Sequence, residues 1–300
     1  MIPNVVLVAN GKGGVYKTSL VANLAVLAAR GGWRVLAVDL DPQGNLARDL
    51  GYMEHSDGGA ELLAAVTQRR PPVPMSEVRP NLDVLAGGPA TDDLVGLLAS
   101  KALRDDDEAV RLLDTHLAPL AAGYHLVLFD AGPSQTWLHK AAMTAARFVV
   151  IPTHLDDASI DGLGRVFRLF RSVRTTSNPD LEVLGVAITG VQTQATVLLR
   201  DVRTQLEQLL GDRVTLFSQP IRYAQRAAVD CRARGLVACE YESEARQAPQ
   251  WFAAMRRGET PQRFGAIGGL AEDYQHLVDE VLGAFGARSA ASPLAAVAGE

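Results

Sequence analysis

The ten residues Asn10-Gly11-Lys12-Gly13-Gly14-Val15-Tyr16-Lys17-Thr18-Ser19 constrain this chain more than any other stretch. They follow Val5-Val6-Leu7-Val8-Ala9, a β-branched apolar run that reads as a buried strand. They precede Leu20 to Arg30, whose apolar spacing reads as a helix. A strand, a glycine-rich turn and Lys-Thr at a helix start are the context a phosphate-binding loop requires. Glycines let backbone N–H groups close around phosphate oxygens, and the helix N-terminus adds the positive end of its dipole. Lys17 is placed to reach β- and γ-phosphates, and the Thr18 hydroxyl to ligate Mg²⁺.

The loop departs from the pattern G-x-x-x-x-G-K-[ST] at one position. Gly11, Lys17 and Thr18 fit, but the second glycine is Tyr16. Glycine there lets the main chain approach phosphate with no side chain in the way. Tyrosine is expected to crowd the cradle or strain the turn. A loop that tolerates Tyr16 and a degenerate loop that no longer binds nucleotide both stay open.

Two carboxylate-bearing strand ends follow. Trp33 to Val38 reads as a second buried strand, ending in Asp39-Leu40-Asp41-Pro42-Gln43-Gly44-Asn45. Tyr124 to Asp130 reads as another, again ending in aspartate. Strand ends of parallel α/β sheets face the ligand crevice, so these carboxylates suit a cation or a water. Asp130 fits a Walker B aspartate that holds Mg²⁺ through water. Further strands are predicted at Phe148 to Thr153, Leu181 to Thr189 and Val214 to Phe217. Helices are predicted over Ala60 to Gln68, within Thr91 to Leu117 before a break at Pro119, over Thr196 to Leu210 and over Leu270 to Phe285. This alternation predicts an α/β fold, one doubly wound and mainly parallel sheet flanked by helices. Residues 1–285 are expected to form one domain and residues 286–300 a flexible tail.

Composition narrows the partners. The chain has 300 residues, 48% of them hydrophobic, enough for a large core. No apolar run reaches membrane-span length, and no signal segment is expected before a strand so close to Met1. Cys231 and Cys239 lie outside any metal-like cluster and read as free thiols of a cytosolic chain. The net charge of −5 argues against a surface that is basic throughout. From Ile160 to Glu259, however, 14 arginines and no lysine stand against 11 acidic residues. That excess permits a local site for an anionic polymer. Arg165, Arg168, Arg171 and Arg174 recur at a spacing of three, either as a phosphate-contacting stripe or as a solvated helix face.

The loop Lys12-Gly13-Gly14-Val15-Tyr16-Lys17-Thr18 resembles K-G-G-V-G-K-T, the deviant Walker A motif of the ParA/MinD family of P-loop ATPases. Asp39-Leu40-Asp41-Pro42-Gln43 resembles that family's switch I, and Asp130-Ala131-Gly132-Pro133-Ser134 its D-x-P-P-S switch II, with Gly132 in place of a stiffer proline. Asp161-Gly162-Leu163 resembles the start of a long family helix. The resemblance runs from Val5 to about Tyr241.

It implies a P-loop NTPase that binds ATP or ADP with Mg²⁺ through Gly11, Lys12, Gly13, Gly14, Val15, Tyr16, Lys17, Thr18 and Ser19. Thr18, Asp39 and Asp130 would serve the metal, Lys17 the phosphates, and Asp41 the attacking water. Lys12 would cross to the partner subunit's nucleotide in an ATP-sandwich homodimer. The partition branch further implies nonspecific DNA binding, stimulation by a ParB-like partner, a nucleoid-associated cytoplasmic location and no membrane. Arg200, Arg203, Arg222, Arg226, Arg232 and Arg234 are the DNA candidates. Three alternatives share these motifs. One is a MinD-like membrane-cycling ATPase, for which no terminal amphipathic helix is visible. The others are a cargo-positioning relative and a binding module blocked by Tyr16.

Overall fold

Strands whose residues are apolar throughout, without alternation, belong in a sheet covered on both faces. In the computed structural model, which describes residues 1–133, 136–211, 214–248 and 268–290, that is where they lie. Strands β1 (Ile2–Val8), β2 (Val35–Leu40), β5 (Leu126–Ala131), β6 (Ala146–Thr153) and β7 (Glu182–Val191) are buried along almost their whole length. With β3 (Met75–Arg79), β4 (Leu82–Leu85) and β8 (Ile221–Arg222) they form an eight-stranded sheet in the order β3-β4-β2-β5-β1-β6-β7-β8. Every pairing is parallel except β3 with β4. The doubly wound, mainly parallel α/β sheet expected from the sequence is therefore present.

The period of two in each strand feeds two cores. Val6 and Val8 face one, with α1 (Lys17–Arg30), α2 (Leu46–Leu50), α9 (Gln225–Arg234), α10 (Ala238–Gln247) and α11 (Leu270–Ala290). Val5 and Leu7 face the other, with α3 (Ala60–Gln68), α4 (Ala90–Ala102), α5 (Asp106–Ala121), α6 (Thr136–Ala145), α7 (Asp157–Thr176) and α8 (Thr196–Leu210). Among the described residues no helix is long and apolar enough to cross a membrane.

Four expectations need correction. Pro119 does not end a helix but lies in the last turn of α5. Its ring denies an N–H only to the carbonyl of Thr115, an exposed residue that water can serve. Val214 to Phe217 is not a strand, since only Leu216 bridges to Val186. The next two backbone N–H groups, of Ser218 and Gln219, turn away to the carboxylate of Glu280, so pairing resumes only at β8. Helix α7 starts before Asp161, because the Asp156 side chain accepts from the backbone N–H of Ser159 and caps the helix there. The last helix runs past Phe285 to Ala290, where Arg288 donates to the carbonyl of Val183. The rest of the expected tail, 291–300, lies outside the described residues.

The two sheet edges are short or irregular. Strand β3 changes register against β4 between Met75 and Arg79, and Glu77 takes a φ of 53°. Strand β8 is two residues long.

Candidate nucleotide site

The loop after β1 is anchored by Asn10, whose side chain is fully buried. Its Nδ2 donates to Pro152 O at 2.7 Å, and its Oδ1 accepts the Lys12 N–H at 3.0 Å. A Cβ at Gly162 would lie 2.9 Å from that oxygen, so glycine lets α7 pack directly on the loop. Asn10 went unrecognised as a site residue in the sequence. A polar residue ending an apolar strand was its only signal.

Both lysines of the loop are held, in opposite directions. Lys17 is buried and donates to the loop's own Lys12 carbonyl at 2.8 Å. Burial lowers its pKa, and the charges of Asp130 and Asp41 oppose that shift. Lys12 points outward to the start of α7, with Nζ 2.6 Å from Asp156 Oδ1 and 3.0 Å from Ser159 Oγ. Its hydrogen bond keeps the Asp156 carboxyl below the usual carboxylate range.

Tyr16 takes a left-handed backbone, the region that favours glycine, with φ 64° and ψ 22°. A left-handed conformation costs a side-chain-bearing residue about 1–2 kcal/mol. The ring leaves the loop. It packs 5.5 Å from the His154 ring at a 59° tilt and borders a small pocket with Ser19, Asn23 and Tyr274. Burial and the neighbouring Tyr223 raise its pKa. Gly13 and Gly14 have open space where a Cβ would stand.

Three carboxylates converge below the loop. Asp39 and Asp130 are register neighbours on β2 and β5, and both are buried. Asp39 spends its oxygens on backbone, accepting Asp41 N–H at 2.9 Å and Leu46 N–H at 3.2 Å. It thus shapes the turn after β2, and burial with the nearby Asp130 charge pushes its pKa well up. Asp130 is pushed up to about 7, mainly by burial, although a hydrogen bond from Thr18 and the charge of Lys17 oppose this. Its Oδ2 is buried with no hydrogen-bond partner. An orphaned, charge-capable oxygen beside a threonine hydroxyl suits Mg²⁺, which takes few protein oxygens and fills its other positions with water and phosphate.

Asp41 faces switch II. A Cβ on Gly132 would come within 2.8 Å of the Asp41 carboxyl carbon. Gly132 therefore serves close approach, rather than only loosening the loop. The buried His139 Nε2–H donates to the Gly132 carbonyl at 2.6 Å and holds that contact in place. Burial lowers the His139 pKa, consistent with a neutral ring. No sequence pattern singled out His139. Ser134 lies outside the described residues.

The DNA candidates divide. Arg222 forms a two-pronged pair with the buried Asp273, Nε to Oδ2 at 2.6 Å and Nη2 to Oδ1 at 2.7 Å, fastening β8 to α11. Arg232 reaches Asp49 Oδ1 at 2.7 Å, and Asp49 also accepts from Ser19. Arg203 donates to the carbonyls of Ser218 and Leu216. Arg234 lies 3.9 Å from Glu244 and over the ring of Tyr241. Arg200 and Arg226 project furthest, with side chains 76% and 82% exposed.

A glycine-rich loop between β1 and α1, a lysine turned into it, and Thr18 and Asp130 beside it, all at the C-terminal ends of a parallel sheet, define a P-loop nucleoside triphosphatase fold. Comparison with known proteins narrows the class. A family model described as an AAA domain, AAA_31, matches residues 3–183. The chromosome-partitioning ATPase Soj of Thermus thermophilus is 36% identical over 227 residues, covering 73% of this chain and 83% of Soj. The chromosome partitioning protein ParA of Caulobacter vibrioides is 36% identical over 217 residues, 70% of this chain and 78% of that protein. The chain belongs to the ParA/MinD family of deviant Walker A P-loop ATPases. The fold alone is also shared with a Cyanothece McdA variant in its ATP complex, with a TM-score of 0.72 at 18% identity over 93% of this chain and 96% of that one.

Proposed function

We propose that this chain is a ParA-like ATPase that moves or partitions DNA by cycling between a monomer and an ATP-sandwich dimer. The observation that carries the reading is the opposed pair of lysines on one loop. Lys17 is turned inward, beside Asp130, while Lys12 is turned away to Asp156 and Ser159 at the start of α7. A second lysine on a loop that already has Lys17 is redundant in a monomer and useful in a dimer.

In this reading the N–H groups of Gly13 to Thr18 and Lys17 bind the β- and γ-phosphates. Thr18 and Asp130 would hold Mg²⁺, which supplies charge neutralisation at the β- and γ-oxygens when bound. Asp41 accepts a hydrogen bond from the attacking water and orients it. Its aim is set by Gly132 and, behind it, by His139. Asp39, with both oxygens on backbone, shapes switch I rather than touching the cation. Lys12 leaves Asp156 for the partner subunit's phosphates. That exchange is inexpensive because the Lys12–Asp156 pair is part-exposed. In this reading Tyr16 tolerates nucleotide, since its ring is turned to the His154 ring.

Nonspecific DNA binding by the dimer rests chiefly on Arg200 and Arg226, whose side chains are the most exposed of the six, because Arg222 and Arg232 are committed to internal carboxylates and Arg203 to backbone carbonyls. It is expected to weaken steeply with salt, as each phosphate contact releases a counterion. A ParB-like activator and a nucleoid-associated, cytoplasmic location complete the proposal.

The test is sedimentation with and without MgATP, beside calorimetric ATP binding, for this chain and Lys12→Ala. The expected result is ATP binding by both proteins and dimerisation of the first alone. ATP bound by a persistent monomer would overturn the sandwich dimer. No binding at all would overturn the ATPase and favour the form blocked by Tyr16.

A further inference from the structure

An open trough of about 1300 Å³ runs along the outer side of α7, away from the carboxylates of the nucleotide site. Its walls carry Arg165, Arg168, Arg171 and Arg174, all exposed. The three-residue spacing winds the row around α7, from beside Gly11 at the phosphate loop down to Arg288 of α11, which reaches the start of β7 at Val183. None of the four α7 arginines pairs with a carboxylate among the described residues. Arg174 instead stacks over the Phe170 ring, 5.9 Å from its centroid. Glu182 is the one acid among the described lining residues, and it is already bound to Arg147 at 2.6 Å. The floor is apolar. Phe167 and Phe170 meet edge to face at 6.4 Å, beside Val183, Leu209 and Val214.

Like charges three residues apart on a helix repel one another, so a folded chain does not gain from this row by itself. Repulsion of that kind is relieved by an anionic partner. The floor decides which one. A nucleic-acid duplex offers a convex, charged backbone that leaves an apolar trough unfilled. An α-helix with one apolar face and an acidic flank fills it and neutralises the rim at once. The volume suits such a helix, taking about three turns at a diameter of ~10 Å.

We propose that the trough between α7 and α8 is a docking groove for an acidic amphipathic helix of a partner protein. Leucine-like side chains of that helix seat on Phe167 and Phe170, and its Glu or Asp residues pair with Arg168, Arg171 and Arg174. Because the groove begins at Arg165, beside the phosphate loop and the helix that holds Lys12, an occupant would sit next to the nucleotide switch without entering it. The groove stands on its own observations and does not require the chain to hydrolyse ATP.

The experiment uses the whole chain and three fluorescent probes. They are a synthetic peptide of about 16 residues with leucine on one helical face and glutamate on its flanks, the same composition scrambled, and a short DNA duplex. Expected is saturable anisotropy for the patterned peptide alone among the peptides, weakening with salt and falling about tenfold or more in Arg168→Glu/Arg171→Glu. Both positions are exposed and outside the nucleotide machinery, so calorimetric ATP binding by that variant should match the parent, which separates failure of the groove from failure of the ATPase. The proposal is overturned by equal binding of the scrambled peptide, by no saturable peptide binding, or by insensitivity to the double reversal. Loss of duplex binding in the reversal without peptide binding would make the row a nucleic-acid surface instead.

Discussion

Two groups of charges lie on either side of the first turn of α7. In the nucleotide crevice, Lys17, Asp39, Asp41 and Asp130 are buried, and nearly every polar atom has a partner inside the chain. Along the trough, four exposed arginines have no carboxylate partner among the described residues. Desolvation explains the difference. A buried charge without a partner is costly, so an exception such as Asp130 Oδ2 is informative by itself. An exposed charge without a partner costs little, so one arginine says nothing, and only the gathering of four along one trough with an apolar floor carries meaning.

The contrast predicts large effects in the crevice and small ones in the trough. Lys17→Ala should weaken ATP binding by about 100-fold, or about 3 kcal/mol, by calorimetry, since it removes a charged donor from a buried site. A loss of only a few-fold would mean the crevice is not the nucleotide site.

Asp130 sharpens the same point through pH. Its folded value of about 7 lies above its ordinary 3.8, so the protonated form is favoured in the folded chain. The stability this contributes is fully present below the ordinary value and is lost as pH rises through about 7. Mg²⁺ needs the ionised form, so the rise in Tm on adding Mg²⁺ should be larger at pH 8 than at pH 6. Asp130→Asn should abolish that dependence. An unchanged Mg²⁺ response in the variant would remove Asp130 from the metal site.

His139→Ala strands the buried Gly132 carbonyl and frees switch II. The expected result is a kcat about tenfold lower with KM little changed, partly rescued by His139→Gln. Equal losses in the two variants with altered KM would point to general destabilisation. Tyr16→Gly should leave ATP affinity within about threefold, because the ring is turned to His154, while folding stability changes little as relief of left-handed strain is offset by lost ring packing and a freer unfolded chain. Restored binding from an inert parent would show that the ring does enter the cradle. The smallest effect belongs to the trough. Arg168→Ala should change stability by no more than about 0.5 kcal/mol in urea melts, and a larger loss would reveal an internal partner for it.

Much of this was readable from residues alone, for reasons that differ by element. Strands β1, β2, β5, β6 and β7 announced themselves because burial on both faces leaves continuous apolar runs. Helices α3 and α8 matched to the residue. Strand β3 was missed, since Met-Ser-Glu-Val-Arg at an edge carries no apolar run. Helices α9 and α10 were missed because their polar sequences are held by tertiary ties such as Arg232 to Asp49 and Arg79 to Glu240. The site residues Lys12, Lys17, Thr18, Asp39, Asp41 and Asp130 were legible as motifs, but their directions were not. Sequence spacing cannot tell that Asp39 turns to backbone, that Lys12 turns outward, or that His139 supports Gly132 from seven residues away.

The frayed ends of the sheet have a consequence for life at high local concentration. A protein gathered densely along a polymer is in danger of zipping its β-sheets together, edge strand to edge strand. Here one border is two residues long, and the other is antiparallel, slips in register and is kinked at Glu77. Neither offers a straight row of free N–H and C=O groups to a neighbour. Edge-to-edge pairing between copies of this chain therefore has little backbone to build on.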